Sequence, residues 1–137
     1  MTGFSDDGSP DGRSLRLSRV AAVAASGPVE LVLTGPCGRV IGRLRFRTCR
    51  TCRTGRILDL WICDAWQRQG LGRELVCFVL AQCRGYRWNT TLQSRPGRAF
   101  FAAMTRETAV SLHHGSPLCP HLMGRFRRTW RRLLHAC

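Results

Sequence analysis

The chain has 137 residues, which bounds it to one domain with room for a hydrophobic core, and 44% hydrophobic residues place it among soluble globular proteins rather than disordered or fibrous ones. Its formal net charge is +14, and all 22 basic residues are arginine. Guanidinium forks bind phosphate and carboxylate bidentately, so the expected partners are anionic: a phosphorylated ligand, nucleic acid, an acidic protein surface or anionic lipid. A GC-rich genome gives the same composition.

Residues 1–13 are rich in Gly, Ser, Asp and Pro and are expected to be disordered. Leu15 to Ala25 admits two readings: Leu15 and Leu17 alternate with Arg16 and Ser18 like a strand, whereas the later alanines permit a short helix. Gly27-Pro28 ends that element. Val29 to Thr34 reads as a strand, and Gly35-Pro36-Cys37-Gly38 as a turn. Arg39 to Arg47 reads as a second strand, with Val40, Gly42, Leu44 and Phe46 on one face and Arg43, Arg45 and Arg47 on the other. Ile41 breaks that alternation. Thr48 to Gly55 reads as a polar loop, and Ile57 to Cys63 as a largely apolar, central strand.

Gly70 to Arg84 has helical periodicity through Leu71, Leu75, Phe78 and Val79, and Gly85 supplies a stop. Arg87 to Gln93 predicts a further strand. Pro96-Gly97 opens a helix reaching about Thr108, with Ala99, Phe100, Ala103 and Met104 on one face. Ala109 to Leu112 is expected to form a last short strand, and His113 to Pro120 a loop. Residues 125–137 predict a basic amphipathic helix with Phe126 and Trp130 on its apolar side. Arg125, Arg127, Arg128, Arg131 and Arg132 on that helix offer a nucleic-acid-binding surface. No segment approaches the roughly 18 apolar residues of a membrane span. No convincing signal peptide is present, so the expected location is cytoplasmic and the eight cysteines are expected to be reduced.

The segment carrying most chemistry runs from Leu60 to Gly72. An apolar strand ends in a polar turn, the turn closes with Gly70-Leu71-Gly72, and a helix follows at once. A helix N-terminus exposes unpaired amides and the positive end of the dipole, and glycines let phosphate come close. A Walker loop is excluded because the chain has no lysine. A dinucleotide fingerprint is excluded because position 75 is Leu75, not Gly. Gln67-Arg68-Gln69-Gly70-Leu71-Gly72 fits Gln/Arg-x-x-Gly-x-Gly/Ala. With Leu60, Ile62 and Trp66 before it, this resembles the acetyl-CoA pyrophosphate loop of the GNAT superfamily of N-acetyltransferases.

The resemblance, covering about residues 29 to 108, implies an α/β fold with a mixed, mostly antiparallel central sheet and flanking helices. It implies a single domain over residues 14–124 that binds acetyl-CoA at a splay between central strands and moves the acetyl group directly to an amine. The backbone from Gln69 to Arg73 would cradle the pyrophosphate, with Gln67, Arg68 and Arg73 adding side chains. The main chain of Leu60, Ile62 and Cys63 would pair with the pantetheine arm, and an N–H near Ile62 or Cys63 would polarise the thioester. In the family an Asn and a Tyr, the latter the usual acid, follow the fifth strand. Here Ser94 and Phe101 stand at those positions, and Phe101 cannot donate a proton. Ser94 could bond the cofactor arm or cap a helix. Asp64, at the end of the central strand, is the candidate base. The two helices that usually separate the family's first strands are missing. A non-catalytic, degenerate fold or a basic nucleic-acid-binding protein is the alternative. The charge favours an anionic acceptor.

Cys49-x-x-Cys52 has metal-knuckle spacing, and Cys119-Pro-His121 could complete a tetrahedral zinc site. The second half is not a standard spacing. Arg47, Arg50 and Arg53 flank the pair and would oppose a dication, so no metal is expected.

Overall fold

The computed structural model describes residues 15–21 and 27–123. The expected terminal helix and its five arginines lie outside the described residues, as does the expected disorder of residues 1–13. Five strands form one sheet in the order β1-β2-β3-β4-β5: β1 (Arg16–Val20), β2 (Val29–Thr34), β3 (Val40–Cys49), β4 (Thr54–Ile62) and β5 (Arg87–Thr90). The first four are antiparallel neighbours, and β5 runs parallel to β4. Helix α1 (Leu71–Gln82) makes the β4-to-β5 crossover, and α2 (Arg95–Thr108) follows β5. In the segment from Leu15 to Ala25 a strand forms over Arg16–Val20, and residues 22–26 lie outside the described residues. Only eight residues join β1 to β2, too few for the two helices the family usually places there.

Strand alternation builds the core. Leu31, Leu33, Leu44, Phe46 and Ile57 are buried on the helix-covered face, while Arg43 is exposed on the other. Ile41 is the instructive exception. Leu33 pairs with Gly42 and Thr34 with Val40, so Ile41 is an extra residue in a bulge. The bulge reverses the pattern locally, burying Ile41 and exposing Val40.

The expected loop from Thr48 to Gly55 is a correction. β3 continues to Cys49 and β4 starts at Thr54, leaving a four-residue turn. Gly55 reads as a breaker, but here the ring of buried Trp88 lies over it. A Cβ on Gly55 would come 2.6 Å from that ring. Trp88 in turn packs against Phe46, with ring centroids 6.2 Å apart.

In α1, Leu71, Leu75, Val76 and Val79 are buried. In α2 the buried residues are Phe101 and Met104, whereas Ala99 and Ala103 are exposed, so the inner face is rotated from the expected one. Alanine marks a face poorly, because it removes little apolar area from water. The short strand expected over Ala109–Leu112 does not form. Ala109 is a left-handed helix cap (φ 58°), and the Leu112 N–H is taken by Thr105 Oγ1 at 3.1 Å.

We expect Gly55→Ala to displace Trp88 and cost about 1–3 kcal/mol in denaturant unfolding. Unchanged stability would show that the ring is free to move.

Candidate functional site

Where β4 and β5 part, a site opens. Their pairing ends at Ile57 and Thr90. One residue later β4 carries a second bulge: Phe46 pairs with Ile57 and Arg45 with Asp59, leaving Leu58 over. Both carbonyls at the bulge are taken by one residue. The Thr91 N–H bonds Ile57 O at 3.0 Å, and Thr91 Oγ1 bonds Leu58 O at 2.8 Å. Gln93 Nε2 then donates to Thr90 Oγ1 at 2.6 Å and Leu112 O at 2.9 Å, turning the chain away into α2. The result is a cleft of about 670 Å³ between β4 and the Thr91–Ser94 segment, closed by the start of α1 and by α2.

Backbone alternation sets what β4 offers this cleft. The Cys63 N–H donates to Ile41 O at 2.7 Å, so Cys63 faces β3. Peptide groups of successive strand residues point to opposite edges, which turns Leu60 and Ile62 toward the cleft. This corrects the expectation for Cys63: its amide is committed to β3, and Cys63 does not border the cleft. The Ile62 carbonyl accepts from Gln67 Nε2 at 2.9 Å, which ties the glycine loop to the strand.

The loop itself has the expected shape. Gly70 is left-handed (φ 77°) and precedes α1, and Arg68 is left-handed as well (φ 63°). No side chain caps α1, and the Glu74 N–H is bonded to Gly70 O at 3.0 Å. The amides of Leu71, Gly72 and Arg73 precede that bond and have no intrahelical acceptor. Gln67, Arg68, Gly70, Leu71, Gly72 and Arg73 border the cleft, and Gln69 does not.

The side chains are arranged less as expected. Arg73 donates through Nε to Glu107 Oε1 of α2 at 2.6 Å, so its charge is partly engaged across the helices. This contact holds the Glu107 carboxyl below the usual glutamate range and raises Arg73. Ser94 borders the cleft but is the N-cap of α2, with Oγ accepting from the Gly97 N–H at 3.2 Å. Phe101 is buried against Phe100, edge to face, with centroids 5.0 Å apart. Asp64 lies in a 3-10 turn (Asp64–Trp66), exposed and outside the cleft walls, and accepts from Gln67 Nε2 at 3.1 Å. Asp59 borders the cleft, with its carboxylate 3.6 Å from Arg43. Sequence reasoning missed Thr91, whose two hydrogen bonds end the sheet, and the apolar rim of Trp61 and Leu92, which are 45% and 87% exposed. Large exposed apolar side chains at a cleft mouth signal a ligand surface.

The Arg73–Glu107 contact gives a prediction with a sign. Glu107→Gln should free Arg73 and tighten binding of inorganic pyrophosphate, a phosphate probe for the glycine loop, about threefold at pH 7, read by calorimetry. In the parent chain the lowered carboxylate keeps the contact at neutral pH and loses it as pH falls through its depressed value. Weaker binding by Glu107→Gln would show that the pair positions Arg73 for the ligand.

The comparisons agree with this geometry. The profile of the Acetyltransferase (GNAT) family matches residues 14–104, more than half of the chain. A candidate acetyltransferase from Deinococcus radiodurans superposes with TM-score 0.52 at 19% identity, over 71% of this chain and 64% of that one. An acetyltransferase from Thermus thermophilus gives 0.50 at 22% identity, over 59% of this chain and 54% of that one. The chain thus spans less than two thirds of these solved structures. No curated protein matches it. Among the described residues no helix is long and apolar enough to cross a membrane. With a family profile covering most of the sheet, and a glycine loop opening on parted strands, the chain belongs to the GNAT acetyltransferase family.

Proposed function

We propose that this protein binds acetyl-CoA in the β4/β5 cleft and transfers its acetyl group directly to an amine. The carrying observation is the convergence on one cavity of two sets of backbone amides without a partner among the described residues: the cleft-facing N–H groups of Leu60 and Ile62 on β4, and the uncapped start of α1. Together they suit a long ligand with an amide-bearing arm and a pyrophosphate. Trp61 and Leu92 would cover apolar parts of that ligand.

In this reading the amides of Leu71, Gly72 and Arg73 hold the pyrophosphate, with Arg68 beside them. The Ile62 N–H faces the thioester oxygen and favours the charge that grows there. Acetyl-CoA, when bound, supplies the activated acyl group. The amine nitrogen forms the new C–N bond as the C–S bond breaks, and the sulfur keeps the electron pair. Asp64, exposed outside the cleft wall, takes the amine proton through water at the cleft mouth. Ser94 Oγ, whose lone pair serves the Gly97 N–H, keeps its own proton to donate to the pantetheine arm. Phe101 gives the thiolate no proton, so that proton comes from water at the cleft mouth. The charge of +14 favours an acceptor that carries negative charge next to its amine.

Gly70 supplies the test of binding. Space around its absent Cβ is open, and its left-handed φ is tolerated by Asn. Titration with acetyl-CoA at about 0.3 M salt, which screens bare charge attraction, should give one site. Gly70→Asn should stay within about threefold, while Gly70→Glu should weaken binding about tenfold or more, roughly 1.4 kcal/mol or above. Equal binding by all three would place the ligand elsewhere. For the chemistry, Asp64→Asn should lower kcat/KM about 100-fold with unchanged acetyl-CoA affinity. A loss below about threefold would move the proton acceptor from Asp64 to solvent.

A further inference from the structure

The end of the sheet away from the cleft carries a second constellation. Cys49 ends β3, Cys52 sits in the β3–β4 turn, and Cys119 and His121 come from the segment around a 3-10 turn at Pro120–Leu122. Their three Sγ atoms and an imidazole nitrogen all lie within 4.8 Å of one another. His121 Nδ1 is 3.3 Å from Cys49 Sγ and 3.5 Å from Cys52 Sγ. We propose that Cys49, Cys52, Cys119 and His121 form a structural zinc site that fastens the 119–122 segment to the β3–β4 hairpin.

Four observations carry this. The first is spacing. Zn–S bonds of about 2.3 Å and Zn–N bonds of about 2.0 Å put neighbouring ligand atoms about 3.5 to 3.8 Å apart at tetrahedral angles. The two sulfur–nitrogen distances lie close to that range.

The second is the set of outer contacts. The Cys52 N–H points to Cys49 Sγ at 3.4 Å, and Thr54 Oγ1 donates to Cys119 Sγ at 3.1 Å. Donors to sulfur stabilise thiolates and fix their direction. Arg47 straps the same segment from outside, donating to Leu122 O at 3.2 Å and His121 O at 3.4 Å.

The third is the poverty of the local core among the described residues. Cys49, Cys119 and Leu122 are its buried members, with Cys52 packed alongside. One leucine and three thiols bury little apolar surface for the chain they must order. A metal supplies what such a small cluster lacks.

The fourth is charge. The flanking arginines argue against a dication only while the ligands are ignored. Three thiolates around Zn²⁺ leave a net charge of −1, which Arg47, Arg50 and Arg53 favour. A disulfide would use two of the sulfurs and leave the third, with the imidazole aimed at it, unexplained.

Four protein ligands close the coordination sphere, which marks a structural rather than a catalytic metal. The site lies at the start of β4, whereas the acetyl-CoA cleft lies at its end. The two are still linked. Between α2 and Cys119 the chain bridges to β5 at Thr90↔His114 and supplies the Leu112 carbonyl that holds Gln93. Zinc would therefore steady one wall of the cleft from a distance.

Protein purified under reducing conditions without chelator should contain one zinc per chain by elemental mass spectrometry. Replacement by Co²⁺ should give the intense visible absorption of a tetrahedral thiolate complex. Cys52→Ser and His121→Ala, at the two less buried ligands, should each lose the cobalt spectrum, while Cys37→Ser, at an exposed cysteine away from the cluster, should keep it. A chelator should lower Tm, and added Zn²⁺ should restore it. Folded, reduced wild-type protein that takes up neither metal at one equivalent would overturn the proposal. So would a cobalt spectrum that survives the combined Cys52→Ser and His121→Ala changes, or a native disulfide within the cysteine trio.

Discussion

The structure depends on one constraint: β4 and β5 run parallel and hydrogen-bonded for four residues, then separate. A continuous sheet has no cavity at its centre, and a gap in it leaves backbone groups without partners. Here the gap is built rather than tolerated. The Leu58 bulge turns an extra carbonyl toward β5, and Thr91 satisfies it and its neighbour with one backbone and one hydroxyl donor. Beyond that point the Leu60 and Ile62 N–H groups face the cleft, while the Ile62 carbonyl is held by Gln67 Nε2. The crossover through α1 places a helix N-terminus beside the same gap, since parallel strands require a helix to start near the end of the first strand. Two sets of amides without partners among the described residues therefore face one volume, and the proposed ligand, with its own carbonyls and phosphates, would complete the hydrogen bonding.

Much of the fold was legible because burial imposes periodicity. β2 begins and ends where Val29 and Thr34 said it would, and α1 follows the spacing of Leu71, Leu75 and Val79. Even the misfit of Ile41 carried information, since a single reversal of phase within a strand is what a bulge produces. Failures came where the partner lay far along the chain. Gly55 breaks a strand unless something fills its place, and Trp88, 33 residues on, fills it. The inner face of α2 was misread because Ala99 and Ala103 are as compatible with solvent as with a core.

The candidate site divides the same way. The glycine loop was readable because backbone conformation at Gly70 constrains residue type directly. The separation of β4 from β5 was not, because it rests on the hydroxyl of Thr91 and the amide of Gln93, residues with many other uses. Cys63 was misplaced by one position in a strand whose edges alternate residue by residue. Ser94 was open to two roles, and the helix claims its lone pair while leaving its proton. That Cys49, Cys52, Cys119 and His121 come together was not legible, because Cys119-Pro-His121 is not a standard spacing and the fold alone brings it to the first pair.

The central claim is that two backbone surfaces bind one ligand. Amide chemical-shift mapping by NMR, with CoA and then acetyl-CoA, reads both at once. The account predicts that either ligand moves the Leu71, Gly72 and Arg73 amides, and that the acetyl group adds a distinct shift at Ile62. Shifts scattered over the arginine-rich face of the sheet, with the α1 start and Ile62 unmoved, would contradict it.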